Sequence, residues 1–456
     1  MKKFKEKYNN SIKFLTKKIY LSIFFSLILF LSSSAFSLSL EESIAHAIKI
    51  DPKLQQSFSR LKTLQSDQDY SRGDYYPTLT LKVGAGLQKY DNESGNKIDD
   101  DAQLKEASLV LRQSLFTGLS TYYDVQSLGH KAESERLSLF SETESSAMDV
   151  INVYLNLVSA NQLLQLSKLN QQDHEKIYED VKVKVNNQLA PQSDLAQVAS
   201  RVANSRASTI AAQNRVMDLE AEYMLLVGSP AENLIKPKPD TSFLIKTQQE
   251  SVDYALANHF SIQSAVEKIN SVNKDYKASA SDYYPEIYIE ASANYKDYSG
   301  YSNPAYPNQG DTEEMQIMLN MEFDVFSGGK RGARRDANSW RKVEATNSLK
   351  LTQRQIHQSV IKAWNSHLLL QEQMQYLKTN VDKSAIAAEG YEEQFKVGRR
   401  ELLDLLISKT DLFQAKKAYL EINVQKEIAT YQLMHAMGNL LKSLYIERPQ
   451  EWEKGQ

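Results

Sequence analysis

The chain of 456 residues repeats itself. Asp74-Tyr75-Tyr76-Pro77 returns as Asp282-Tyr283-Tyr284-Pro285 at an offset of 208 residues, and Leu115-Phe116-Thr117-Gly118 returns as Val325-Phe326-Ser327-Gly328 at 210. Ser193-Asp194-Leu195 and Leu403-Asp404-Leu405 keep the offset of 210, as do Val227-Gly228 and Met437-Gly438. A nearly constant offset over so many positions marks one duplicated unit instead of several unrelated domains. Proline placement agrees with this. No proline lies between Pro77 and Pro191 or between Pro307 and Pro449, so each half has room for very long uninterrupted helices.

Each half contains two stretches of period-two alternation. After Pro77, Leu79, Leu81, Val83, Ala85 and Leu87 share one face, and Thr78, Thr80, Lys82, Gly84 and Gln88 share the other. A partner stretch sets Leu109, Leu111 and Leu115 against Ser108, Arg112 and Ser114, with Val110 and Gln113 out of pattern. The second half repeats the arrangement with Ile287, Ile289, Ala291 and Ala293, and then with Met315, Ile317, Leu319 and Met321. Strands are expected at about 78–90, 106–117, 286–298 and 314–326. Their length suits a tilted crossing of a bilayer, and the acids and amides of the polar faces suit a water-filled lumen. Four strands cannot close a usable barrel, and no strand edge can be left unpaired in lipid, so this reading requires further copies of the chain. Three copies supply twelve strands. The alternative is a periplasmic or surface helical interaction protein whose hairpins pack on its own rods.

Long helices are expected at 120–188 and 330–397, with returning helices at 192–228 and 400–441. At 1.5 Å per residue the longer pair are rods of about 100 Å. The helical segments that open each half, near 40–72 and 251–281, have the size to stack end to end with the shorter returning helices. The first repeat thus covers 38–228 and the second 251–441, joined by a proline-rich connector at 229–250 and followed by a tail at 442–456.

Residues 1–37 carry seven lysines and one glutamate ahead of an apolar stretch, and read as a secretory signal peptide that ends in small residues. Its removal takes the formal charge from −3 to −9. That acidic balance suggests no nucleic-acid partner. Zero cysteines exclude disulfides, thiol chemistry and an acyl anchor on cysteine. The seven histidines include no i,i+4 pair, so no metal site, no cofactor and no catalytic constellation is expected. Lys330, Arg331, Arg334 and Arg335 form a basic cluster that reads as an anchor near lipid headgroups.

A signal peptide, a duplicated helix–strand–strand–helix unit, a Tyr-Tyr-Pro entry to each first strand and a Phe-x-Gly exit from each second strand together resemble the TolC family of outer-membrane efflux proteins. The resemblance implies an α+β membrane protein of the outer membrane. It would be a homotrimer with a twelve-stranded β-barrel, four strands per protomer, continuous with a long α-helical periplasmic tunnel. It further implies a non-enzymatic, passive duct that docks on a periplasmic adaptor and an inner-membrane ABC or proton-driven transporter. Such a duct exports proteins or small toxic compounds, and the missing cysteine anchor leans toward type I secretion.

The run Phe395-Lys396-Val397-Gly398-Arg399-Arg400-Glu401-Leu402-Leu403-Asp404 is similar to the turn at the family's periplasmic tip. The resemblance implies that Arg400 is a gate cation and Asp404 a pore-facing carboxylate. Phe395 stands where a tyrosine is often found, which removes a hydroxyl from the gate. Asp194 is the matching aspartate of the first half and a partner for Arg400. Ile407 replaces a second acidic ring. The adaptor-docking tips would comprise Leu189, Pro191 and Ser193 in the first half and Gly398, Arg399, Glu401 and Leu402 in the second. Gln188 stands where the second half has Gly398, so the first turn lacks a glycine that Pro191 would have to offset.

Overall fold

The computed structural model describes residues 39–89, 101–299 and 311–453. The expected signal peptide lies outside them, as do most of the two acidic loops between paired strands. The chain opens with helix α1 (Leu40–Ile50). A reciprocal capping box starts it, in which Glu42 N–H donates to Ser39 Oγ and Ser39 N–H to the Glu42 carboxylate. Asp51 then caps α2 (Pro52–Gly73), which has proline at its first position. Strands β1 (Thr78–Lys89) and β2 (Asp101–Phe116) follow, and then the 67-residue α3 (Ser120–Asn186) and the 36-residue α4 (Gln192–Val227).

The second half retraces this course through α5 (Gln248–Asn258), α6 (Phe260–Ala278), β3 (Glu286–Ser299) and β4 (Thr312–Glu322). It continues with α7 (Lys330–Lys396), again of 67 residues, and α8 (Leu402–Met437), again of 36. Both ends of α7 and of α8 lie 210 positions after the corresponding ends of α3 and α4. The duplication therefore survives in the backbone even where side chains differ. Gly118 and Leu119, and their counterparts Gly328 and Gly329, all have φ between 60° and 81°. Two successive left-handed residues turn each strand exit into its long helix.

The short helices fill the length that α4 and α8 lack. His46 of α1 meets the carbonyl of Val227 at the end of α4 at 2.7 Å, and Ser43 meets the Tyr223 hydroxyl at 2.8 Å. At the corresponding end of α8, a Cβ on Gly438 would lie 3.3 Å from His259, which joins α5 to α6. Around these junctions sits the main core, where Leu54, Leu139, Ile151, Tyr154, Leu155, Tyr223 and Tyr431 are buried. The connector crosses it. Tyr154 Oη donates to the carbonyl of Ile235 and accepts from its N–H.

The four strands form one antiparallel sheet in the order β1-β2-β3-β4. Leu79, Leu111, Ala291 and Ile317 stand in one cross-strand row, and Leu81, Leu109, Ala293 and Met315 in the next. These residues share the face that is apolar and turned to solvent, with Leu81, Met315 and Ile317 at 67, 84 and 80% exposure. The even-numbered positions carry Thr78, Arg112, Glu290, Ser292 and Gln316 on the other face. A register shift between Ser114 and Phe116 ends the alternation in β2. β4 stops at Glu322, short of 326, because its partner begins at Glu286 and Pro285 before it has no N–H to extend the ladder. β2 starts at Asp101, ahead of 106, because it has β1 on one side and β3 on the other to pair with.

Candidate functional site

The two helix–helix turns at the far end of the rods are built alike. In the first, Gln188 N–H donates to the carbonyl of Val185 at 2.9 Å and Leu189 N–H to that of Lys184 at 2.8 Å. In the second, Gly398 N–H donates to Phe395 at 3.1 Å and Arg399 N–H to Gln394 at 2.8 Å. Both are Schellman closures, and Gln188 takes the same left-handed conformation as Gly398, with φ of 63° against 74°. The missing glycine thus leaves the turn unchanged. Pro191 and Glu401 then cap α4 and α8 with matching extended geometry. Asp194 and Asp404 both lie in a first helical turn, where the N-terminal end of the macrodipole favours a carboxylate.

Beneath the turns the two halves share one small core. Ile177 and Val181 of α3, Val198 and Val202 of α4, and Leu402, Leu405 and Leu406 of α8 pack together, with Phe395 of α7 partly buried against them. Lys184 Nζ lies 4.2 Å from the centre of the Phe395 ring. Phe395 therefore belongs to the packing. The aromatic beside Arg400 is Tyr391, one helical turn earlier, whose ring centre lies 4.5 Å from the guanidinium. Arg400 Nη1 donates to Asp404 Oδ2 at 3.0 Å, and Nε to Gln394 Oε1 at 3.0 Å. Within the protomer Arg400 is held by its own helical hairpin and not by Asp194. Tyr391 and Gln394 were not picked out from sequence; the spacing of four between Tyr391 and Phe395 is the signal that could have found them.

The remaining tip residues are set outward. Leu189, Pro191, Ser193, Val397, Gly398, Arg399 and Glu401 are exposed, with Leu189 at 76%, whereas Leu402 is buried in the shared core. Leu403 and Ile407 add exposed apolar surface on α8.

At the opposite end of the rods, where the strands root, a cavity of about 860 Å³ opens on the polar face of the sheet. Arg112 stacks on Tyr288 at 3.8 Å and donates to Glu286 at 3.0 Å. Arg334 pairs with Asp282 at 3.2 Å, and Arg331 donates to the carbonyl of Asp324. The basic cluster expected near headgroups thus turns largely into this cavity, because Gly328 and Gly329 fold the start of α7 back toward Asp282. Tyr76 and Tyr284 of the two Tyr-Tyr-Pro motifs are exposed and line the same cavity, beside Thr78 and Glu286. Among the described residues no helix is long and apolar enough to cross a membrane, and no cluster of metal-ligating side chains occurs.

A sheet with one apolar solvent-facing side, continued by rods of about 100 Å, is the architecture of an outer-membrane channel protomer. Residues 252–439 match the family model for outer membrane efflux proteins. The chain is 21% identical to the outer membrane efflux protein BepC of Brucella suis over 407 residues, which is 89% of this chain and 87% of that protein. It is 19% identical to the outer membrane protein TolC of Vibrio cholerae over 90% of this chain and 93% of that one. The solved outer membrane channel CmeC of Campylobacter jejuni superposes with a TM-score of 0.76 at 15% identity, covering 91% of this chain and 87% of the other. Residues 252–439 thus carry the pattern of the outer membrane efflux proteins, and the chain as a whole has the TolC-like fold.

Proposed function

We propose that three copies of the chain form a passive exit duct: a twelve-stranded barrel in the outer membrane, with the helical rods extending as a tunnel into the periplasm. One observation carries this reading. The sheet presents an apolar face to solvent while its β1 and β4 edges have no further strand among the described residues, and lipid outside with strands of other copies at the edges satisfies both. The helices give independent support. α3 has 22 buried residues, whereas α7, of the same length, has five and exposes Trp340, Leu351, Leu368, Leu369 and Tyr376. A helix so little covered calls for neighbouring copies.

In this duct the exposed tip turns at Leu189, Pro191, Ser193, Gly398, Arg399 and Glu401, braced by the buried Leu402, dock a periplasmic adaptor, which joins the duct to an inner-membrane ABC or proton-driven transporter. The duct carries proteins or small toxic compounds outward. The absence of any cysteine, and so of an acylated one, favours type I secretion. Arg400 and Asp404 guard the periplasmic end together with Phe395, which braces the coil from within. Asp194 is free to meet Arg400 of an adjacent copy. Each such exposed pair contributes about 0–1 kcal/mol, so closure depends on threefold repetition.

Fractionation tests the assembly: outer-membrane recovery of a heat-modifiable trimer is expected, and a soluble periplasmic monomer would exclude the barrel. Planar-bilayer recording tests the gate. Arg400→Ala and Asp194→Ala should each raise conductance, and unchanged conductance in both removes the assignment.

A further inference from the structure

His174 lies on α3, three and seven residues before Ile177 and Val181 of the tip core. It is 4% exposed, and its Nδ1 has no hydrogen-bond partner. The other buried or half-buried histidines are satisfied. His259 Nδ1 accepts from Ser261 N–H, His435 Nε2 meets Ser145 Oγ, and His367 Nδ1 meets Thr430 Oγ1. The charges facing His174 come from each helix around it: Asp173 beside it on α3, Arg201 on α4 and Lys409 on α8. Lys409 is itself bound to Glu392 of α7 at 2.6 Å. The duplicated scaffold does not require an imidazole here, since the position 210 residues later is Ser384.

We propose that His174 is a proton-sensitive latch: neutral, it lets α3, α4 and α8 close over the tip core, and protonated, it drives them apart. An imidazolium has two N–H donors and a charge to satisfy. In this packed site it would meet two cations and one carboxylate, so the ring must leave the interior to be solvated. It sits one turn from Ile177, and its departure opens the bundle at the level of the tip. Burial holds the imidazole below its ordinary value, with Arg201 and Lys409 acting the same way against Asp173. The sign follows: the opened tip takes up the proton that the closed tip refuses, so closure is favoured above about pH 6.5 and lost as the pH falls below it.

Only the consequence for flux rests on the gate reading above; the latch itself is a property of the packed helices. Hydrogen exchange of the full chain, corrected for intrinsic rates, would be compared at about pH 7.5 and about pH 5.5. Tip segments 177–205 and 395–409 should open up to about tenfold more for each pH unit below the ordinary imidazole value. His174→Leu should abolish that response, and His174→Ser, which copies Ser384, tests it independently if the leucine variant fails to fold. A pH-independent tip in the wild type, an undiminished response in either folded variant, or loosening confined to the region of His259 and His435 would overturn the proposal. A wild-type exchange response with no parallel rise in conductance would leave the latch standing and count against the gate.

Discussion

Gln188 shows how a single residue can hide inside a repeated backbone. It adopts a left-handed conformation with φ of 63°, which costs an L residue about 1–2 kcal/mol, whereas glycine adopts it freely but gives up about 0.5–1 kcal/mol of unfolded-chain entropy. Gln188→Gly should therefore tighten the first tip turn by up to about 1 kcal/mol, read as slower amide exchange at 183–189. Gly398→Ala should loosen the second turn by a similar amount. A Cβ there meets nothing within 4 Å, so strain alone is responsible. Equal exchange in Gln188→Gly and wild type would mean that the Schellman bonds already absorb the strain. Sequence placed the turn through Gly398, but Gln188 gave no sign of its φ. Side-chain identity does not report a conformation that Pro191, the two closing hydrogen bonds and the packing below it impose together.

At the scale of elements, the strands and rods were legible because alternation and proline-free length are local patterns. The tail was not legible, because what holds it is distant in sequence. After Gly438 the chain folds back over the main core. Arg448 donates to Glu144 at 2.7 Å and lies between the rings of Phe140 and Phe260, 4.7 Å from each. Leu441 N–H donates to the same carboxylate, and Trp452 is buried beside Phe58. Burial pushes the Glu144 carboxyl up and the Arg448 guanidinium down, so for each partner desolvation outweighs the pairing. A pair of this kind adds little net stability while intact, yet removing one member strands the other. Arg448→Ala should cost about 3–5 kcal/mol and expose the tail to proteolysis. Glu144→Gln combined with Arg448→Met should recover most of that loss. If Arg448→Ala keeps both its melting temperature and its protected tail, the tail is held by Trp452 and Leu441 instead. The same logic explains why Tyr391 was overlooked at the tip. Its role depends on Arg400 reaching back across the Gly398 turn, which the spacing of Tyr391 and Phe395 only hints at.

For the whole molecule the parity of the strands is decisive, because a one-residue change of position moves a side chain from one face of the sheet to the other. Ile317 and Gln316 are neighbours in β4, yet Ile317 lies in the row with Leu79, Leu111 and Ala291, and Gln316 in the row with Thr80, Val110 and Ser292. Twelve residues of β1 at about 3.3 Å each, tilted by about 40°, span about 30 Å, the thickness of a hydrocarbon core. If the odd face meets lipid, Ile317→Arg introduces a cation at about mid-depth and costs about 2–4 kcal/mol in each copy. In a trimer that penalty is incurred three times. Ile317→Arg should therefore abolish the heat-modifiable trimer in the outer membrane, while Gln316→Arg, on the face that also carries Arg112 and Glu290, should assemble and alter only ion selectivity. Were the sheet instead to pack on a soluble partner, both cations would be tolerated or rejected according to that partner's surface, and neither would change recovery from the membrane fraction. Equal outer-membrane assembly of the two variants would thus count against lipid on the apolar face, and with it against the closure of β1 and β4 by neighbouring copies.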